Sequence, residues 1–238
     1  MPDTAGRIVD LPELRNRGRV FHDRTHAGVV LAGMLEMLRG TGTRILAIPA
    51  GGVPVAAEAS RRLGLPLDLA VVSKITLPWS TESGYGAVAF DGTVRLNQEL
   101  IAALGLRPDV IKSGVARTQE KVRRRLRELR GERDLPDLGG RAAVLIDDGL
   151  ASGFTMLTAV DAVRHLGADA IIVAVPTGHY DSVTRIAAAV DSLYCPNIRE
   201  GLSYAVADAY EQWSDVDETM VADIMRRFDQ NVVASGGT

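Results

Sequence analysis

The chain has 238 residues, 46% hydrophobic and 24% charged, with a formal net charge of -3, the profile of an ordinary globular protein of one large domain. That charge gives no reason to expect a nucleic-acid or membrane-surface binder, and no apolar run approaches the roughly 18 residues a membrane span needs. A single cysteine, Cys195, excludes an internal disulfide framework, and "MPDTAGRIVDLPELRNRGR" has no apolar core of signal-peptide length, so a reducing cytoplasm is the expected location.

The first punctuated segment is "FHDRTH", where His22, Asp23 and His26 have a spacing a metal could use. A helix start is the stronger reading, because no third protein ligand is identifiable. "RILAIPA" (44–50) is a short buried strand, and "GGVPVAAEASRRLG" has helical spacing with Gly64 as its stop. "PLDLAVVSKI" (66–75) reads as a second strand. Residues 76–97, "TLPWSTESGYGAVAFDGTVRLN", read as a flexible lid and a hairpin around Asp91-Gly92. Residues 98–131 form a charged helical insertion, and its "KVRRRLRELR" run reads as one solvated helix face rather than an RNA contact.

"RAAVLIDD" (141–148) is the third strand, followed by the helix "FTMLTAVDAVRHLG", again closed by glycine. "ADAIIVAVPTG" is a fourth strand, "YDSVTRIAAAV" a helix and "DSLYCP" a fifth strand, and 196–238 form a small C-terminal hood. Strands without polar alternation, each joined to the next by a helix, specify an α/β fold with a doubly wound, mainly parallel sheet. The whole of 1–238 is expected to be a single domain. Ligands of such sheets bind at the carboxyl ends of the strands, which puts "PAGG" and "DDGLASGFT" on one rim.

Asp147 and Asp148 end an apolar run, so their carboxylates stand where they can accept hydrogen bonds from neighbouring sugar hydroxyls and help hold Mg2+. The loop Gly149, Leu150, Ala151, Ser152, Gly153, Phe154, Thr155 supplies backbone N–H groups and two hydroxyls, and opens into a helix whose amino end attracts anions. A diol beside a monoester phosphate is ribose 5-phosphate. A capped strand-turn-helix corner would account for one acid only. The GxxxxGK[ST] and GxGxxG phosphate loops are absent, and so is the GxSxG elbow that a Ser152–His179 hydrolase triad would need.

"VLIDDGLASGFTM" resembles the PRPP-binding signature of the type I phosphoribosyltransferases. "FHDRTHAGVVLAGML", "IPAGGVPVAAEASRRLGLPLDLAVVSKI" and "GYGAVAFDGTVRLN" extend the resemblance, in order and spacing, to a bacterial and archaeal branch of uncharacterised substrate. The resemblance implies a PRPP-dependent transferase that moves 5-phosphoribosyl to a nitrogenous acceptor, a base, and releases pyrophosphate. It implies Asp147 and Asp148 on the ribose hydroxyls, with Mg2+ bound directly or through water, and residues 149–155 around the 5-phosphate. Ala50, Gly51 and Gly52 would form the pyrophosphate loop, with a cis peptide expected at Ala50–Gly51. Lys74 would stand by the leaving group. Trp79 and Glu82 on the lid, and Tyr204, Tyr210 and Trp213 in the hood, are the candidate acceptor contacts; packing is the alternative for the hood aromatics.

The implied partners are PRPP and a small acceptor or a nucleotide monophosphate, without nucleic acid or membrane, and the candidate assembly is a homodimer. Two departures qualify the resemblance. Relatives usually have arginine where this chain has Ala50 and Ser73, so two cations near the pyrophosphate are missing. That keeps open a non-catalytic protein that binds PRPP or a nucleotide and regulates a partner. It also keeps open a different enzyme on the same site, such as a nucleotide phosphorylase or hydrolase.

Overall fold

The computed structural model describes residues 6–80, 83–131, 134–201 and 203–235. Six strands form a wholly parallel sheet: β1 (Arg7–Val9), β2 (Arg44–Ala47), β3 (Leu67–Leu69), β7 (Ala142–Ile146), β8 (Ala170–Ala174) and β10 (Ser192–Tyr194). Their order is β1-β10-β8-β7-β2-β3. From β2 the chain moves outward to β3, and from β7 it moves the other way through β8 to β10. The order therefore reverses between β2 and β7, whose carboxyl ends lie side by side, with the Ile48 amide donating to Ile146 O at 2.8 Å. A crevice at such a reversal is where doubly wound sheets hold ligands.

The flanking helices follow the sequence punctuation. α1 (Arg24–Met34) begins at Asp23, whose carboxylate accepts from the His26 amide at 2.8 Å. α2 (Gly52–Leu63) stops at Gly64, which has φ +65°, a left-handed conformation that glycine adopts without a Cβ penalty. α5 (Phe154–His165) follows β7, and α6 (Tyr180–Ala187) follows a short strand β9 (Thr177–His179). The core between sheet and helices is aliphatic, with Leu31, Ile45, Leu46, Val53, Leu145, Ile146 and Val160 fully buried. Cys195 is a buried free thiol.

Three expectations change. The run "PLDLAVVSKI" is two strands, because after β3 the chain leaves the parallel sheet at Ala70-Val71 and enters β4 (Val72–Thr76). β4 pairs antiparallel with β5 (Gly84–Ala89), which pairs with β6 (Val94–Leu96) in a separate three-stranded sheet. The expected lid is largely structural. Tyr85, Ala87, Val88 and Ala89 are buried, and the hairpin is fastened to α5 by Arg95–Asp161 and by Thr93 and Asp91 on His165. Among its described residues, Trp79, Gly92 and Val94 are exposed.

The charged insertion comprises α3 (Gln98–Ala103) and α4 (Pro108–Arg130), and α4 packs on β4. The C-terminal region divides in two. β11 (Asn197–Arg199) pairs with β9, and the segment that follows it contributes Tyr210 and Trp213 beside the acid pair. α7 (Glu218–Ser235) instead packs against α2 and α4. No described helix is long and apolar enough to cross a membrane.

Candidate functional site

The two aspartates after β7 have different surroundings. Asp147 lines a cavity of about 470 Å³, shared with Lys74, Gly84, residues Gly149–Thr155 and Val206. One of its oxygens accepts from the Asp148 amide at 2.9 Å. Asp148 turns away, into an ion pair with Arg24 at 2.9 Å. Arg24 is only 8% exposed. Its remaining donor reaches Ser214 O at 2.8 Å, and its guanidinium lies 3.8 Å from the Trp213 ring centroid, a cation–π arrangement. The Tyr210 hydroxyl donates to the Asp148 backbone carbonyl at 2.6 Å.

Burial is the main reason the Asp147 carboxyl sits well above the usual carboxylate range, and the neighbouring Asp148 charge adds to it. Asp148 is also raised by burial, against the pull of Arg24. The pair is thus short of positive charge and of hydrogen-bond donors, which a hydroxyl-bearing or cationic ligand would supply. Burial likewise raises the Tyr210 phenol, which stays a donor.

The glycines of "PAGG" serve close approach. A Cβ on Gly51 would overlap the Asp148 carboxylate, and one on Gly52 would lie 2.8 Å from Asp147 Cα. The backbone of residues 50–52 is therefore pressed against the acid pair. The non-proline cis peptide falls at Pro49–Ala50, one bond earlier than expected. Ala50 is half-buried and packs against the apolar core.

The loop after the acids is held from behind. Leu150 O accepts from the His179 amide at 3.1 Å, Ala151 O from the Ser182 hydroxyl, and Ser152 O from Arg185 Nη2 at 2.7 Å. With these carbonyls turned outward, the amides of Ala151, Ser152, Gly153, Phe154 and Thr155 donate no hydrogen bond among the described residues. Gly153 takes φ +68° at the amino end of α5. A row of unsatisfied amides at a helix amino terminus, lining a cavity, is an anion cradle.

Lys74 lines the same cavity, and its stem lies against Gly84. Ser73 points the other way and is buried; the cation beside it is Arg125 of α4, whose Nη1 lies 3.3 Å from the Ser73 hydroxyl. Trp79 is 66% exposed and lines a separate cleft with Lys74 and α4. Tyr204 is tied to Thr177 at 3.4 Å and Tyr210 is buried, so neither lines the cavity; Trp213 stacks on Arg24. Glu82 lies outside the described residues.

His22 bonds Glu211 and its amide donates to His26, and no metal-binding group of three or more His, Cys, Asp or Glu occurs among the described residues. His179 Nε2 contacts Gly201 O at 3.1 Å and makes no bond to Ser152. Arg24 is the site residue that residue-by-residue reasoning missed. It stands inside the "FHDRTH" motif, but its partner is 124 positions away.

Residues 30–208 match the family model described as the phosphoribosyl transferase domain. Two Mycobacterium tuberculosis proteins named provisionally as phosphoribosyl transferases, MT0597 and Rv0571c, are each 34% identical over 218 residues. The alignment covers 92% of this chain and 49% of each of them, so the chain spans about half the length of these curated relatives. The crystal structure of TT1426 from Thermus thermophilus superposes with a TM-score of 0.73 at 31% identity, covering 87% of this chain and 98% of that one. With its acid pair, amide-lined loop and switch-point cavity all within the matched span, this chain belongs to the phosphoribosyl transferase domain family.

Proposed function

We propose that this chain is a PRPP-dependent phosphoribosyltransferase that moves 5-phosphoribosyl to a nitrogenous acceptor and releases pyrophosphate. The observation that carries the reading is the cavity in which Asp147 and the unsatisfied amides of residues 151–155 face one ligand space. A sugar phosphate fills both demands at once. Its phosphate takes the amides and the hydroxyls of Ser152 and Thr155, and its ring hydroxyls donate to Asp147, as donors to a charged acceptor should. Arg24 and Tyr210 fix Asp148, so the neighbouring Asp147 is presented in one orientation.

In the reaction, the bond from the anomeric carbon to the pyrophosphate oxygen breaks, and its electron pair leaves with pyrophosphate. A nitrogen lone pair of the acceptor forms the new bond, and the acceptor's proton passes to solvent. The residues act by orientation and electrostatics, without a covalent nucleophile. Lys74 stands by the departing charge, and the Gly51-Gly52 backbone lets amides approach it.

The donor set fits Mg2+ only as an ion shared with substrate, since Asp147 is one protein ligand and a diphosphate with water would complete the shell. Bound there, Mg2+ would neutralise charge developing on the pyrophosphate. The intracellular setting and nucleotide metabolism that go with this chemistry are part of the same proposal.

Ala50 favours one second reading, a regulatory protein that binds PRPP or a nucleotide without turnover, because the loop beside the leaving group carries no cation of its own. A panel of bases with PRPP and Mg2+, following pyrophosphate release, separates the two. The transferase reading expects release with a subset of bases and loss of it in Asp147→Asn. PRPP binding without release across the panel would overturn it in favour of the regulator.

A further inference from the structure

All three guanidinium nitrogens of the nearly buried Arg24 are engaged. Nε and Nη2 each lie 2.9 Å from Asp148 Oδ2, and Nη1 donates to Ser214 O at 2.8 Å. Trp213 covers the guanidinium with its ring centroid at 3.8 Å. The segment that carries Trp213 is laced to the start of α1. Phe21 N donates to Ala209 O, Glu211 N to Phe21 O and Gln212 N to His22 O. Gly51 hems Asp148 as well, since a Cβ there would overlap the carboxylate.

Turning Asp148 toward a sugar would leave a buried guanidinium without its carboxylate. That costs more than one hydroxyl hydrogen bond returns. Of the two acids, Asp147 lines the cavity and Asp148 does not. Asp147 is itself half spent. Its Oδ1 accepts from the Asp148 amide at 2.9 Å and would lie 3.1 Å from a Cβ on Gly52. A carboxylate grips a vicinal diol by setting one oxygen against each hydroxyl. Here one oxygen is left for the ligand.

We infer that the site reads one ring hydroxyl of its sugar phosphate, not the diol, and that Arg24 sets this specificity by withholding Asp148. The inference rests on the transferase reading above and widens its donor class. Ribose 5-phosphates and one of the two deoxyribose 5-phosphates are both admitted. Arg24 touches no substrate atom and acts through Asp148, as a positioning residue.

Calorimetry on the full chain tests this with ribose 5-phosphate, its 2-deoxy and 3-deoxy forms, and inorganic phosphate. One deoxy sugar should lose at least about tenfold in affinity, the scale of a hydrogen bond to a charged group, and the other less than about threefold. In Asp147→Asn the two deoxy sugars should come within about threefold of each other. Arg24→Gln releases Asp148, so the tolerated deoxy sugar should then lose at least about threefold, which a merely structural role for Arg24 does not produce. Should that variant fail to fold, Asp148→Asn serves, and it should keep the wild-type pattern because the acid it removes touches no sugar. A wild-type loss above about threefold from each deoxy sugar, or below about tenfold from both, would overturn the inference. So would a pattern that survives Asp147→Asn, stays unmoved in folded Arg24→Gln, or changes in Asp148→Asn. Ribose 5-phosphate binding no tighter than inorganic phosphate would remove the transferase reading itself; tighter binding with the wrong deoxy pattern removes this inference alone.

Discussion

Arg24, at the first turn of α1, and Asp148, at the end of β7, form an ion pair at 2.9 Å that is almost closed to solvent. Asp147, one residue earlier, has no such partner and faces the cavity. Burial raises both carboxyls, but only Asp148 has a buried cation that depends on it.

Replacement of each acid should move stability in opposite directions. Asp148→Asn leaves the Arg24 charge buried without its carboxylate, and should destabilise by about 3 to 5 kcal/mol, the usual scale for one partner lost from a buried pair. Asp147→Asn removes a poorly solvated charge and should stabilise the unliganded protein once the wild-type carboxyl would be forced to ionise. The sign follows from linkage. The folded carboxyl is raised, so wild type loses stability as pH climbs from the ordinary carboxylate range, about 4, to the raised folded value. The advantage of Asp147→Asn should thus grow as pH rises and vanish toward about pH 4. Chemical denaturation of both variants at several pH values checks this, and a common sign would contradict the assignment of Arg24 to Asp148 alone.

Much of the arrangement is legible from residues. Continuous apolar runs mark β2, β7 and β8, Gly64 marks the end of α2, and the Asp147-to-Thr155 order places an acid pair before an amide-bearing loop. The switch at Ala70-Val71 is not legible, because "LDLAVVSKI" is apolar through the crossing and no turn residue interrupts it. The role of Arg24 is hidden for another reason. Its contacts, Asp148, Trp213 and Ser214, are all more than 120 residues away, and local spacing carries no signal at that separation. Ser73 reads as a lost cation from its place in the motif alone; strand alternation turns it to the opposite face from Lys74, buried toward Arg125.

Gly51→Ala should injure the site without touching a ligand-binding side chain. Its Cβ would overlap the Asp148 carboxylate, so either the acid or the 50–52 backbone must move. Overpacking of this kind costs about 1 to 3 kcal/mol. We expect a lower melting temperature and weaker ribose 5-phosphate binding together. Unchanged affinity would mean that the loop is not pressed on the acid pair.

Ser152→Ala and Thr155→Ala should each weaken phosphate-bearing ligands by about 1 to 3 kcal/mol, the scale of hydrogen bonds to charged groups. The loss should be equal for PRPP and a nucleoside monophosphate, which share that phosphate. Arg185→Gln acts one step removed, by releasing the Ser152 carbonyl it holds at 2.7 Å. It should weaken the same ligands less, with no change in selectivity between them. Isothermal titration of the three variants decides, and a loss confined to PRPP would assign the loop to pyrophosphate instead.

Tyr210→Phe should cost about 1 kcal/mol of stability, because the Asp148 carbonyl loses the 2.6 Å donor supplied by the buried Tyr210. Ribose 5-phosphate affinity should fall with it through loosened positioning of the acid pair. Thermal denaturation and calorimetry on one preparation check both, and an affinity unchanged at reduced stability would confine Tyr210 to packing.

The central claim is that a sugar phosphate sits with its phosphate on the amides of residues 151–155 and its hydroxyls at Asp147. A crystal structure of the chain with ribose 5-phosphate measures this directly. The account predicts phosphate oxygens about 2.7 to 3.2 Å from at least two of those amides, with a ring hydroxyl within the same reach of Asp147. Phosphate density elsewhere on the chain, with the 151–155 amides left unengaged, would contradict it.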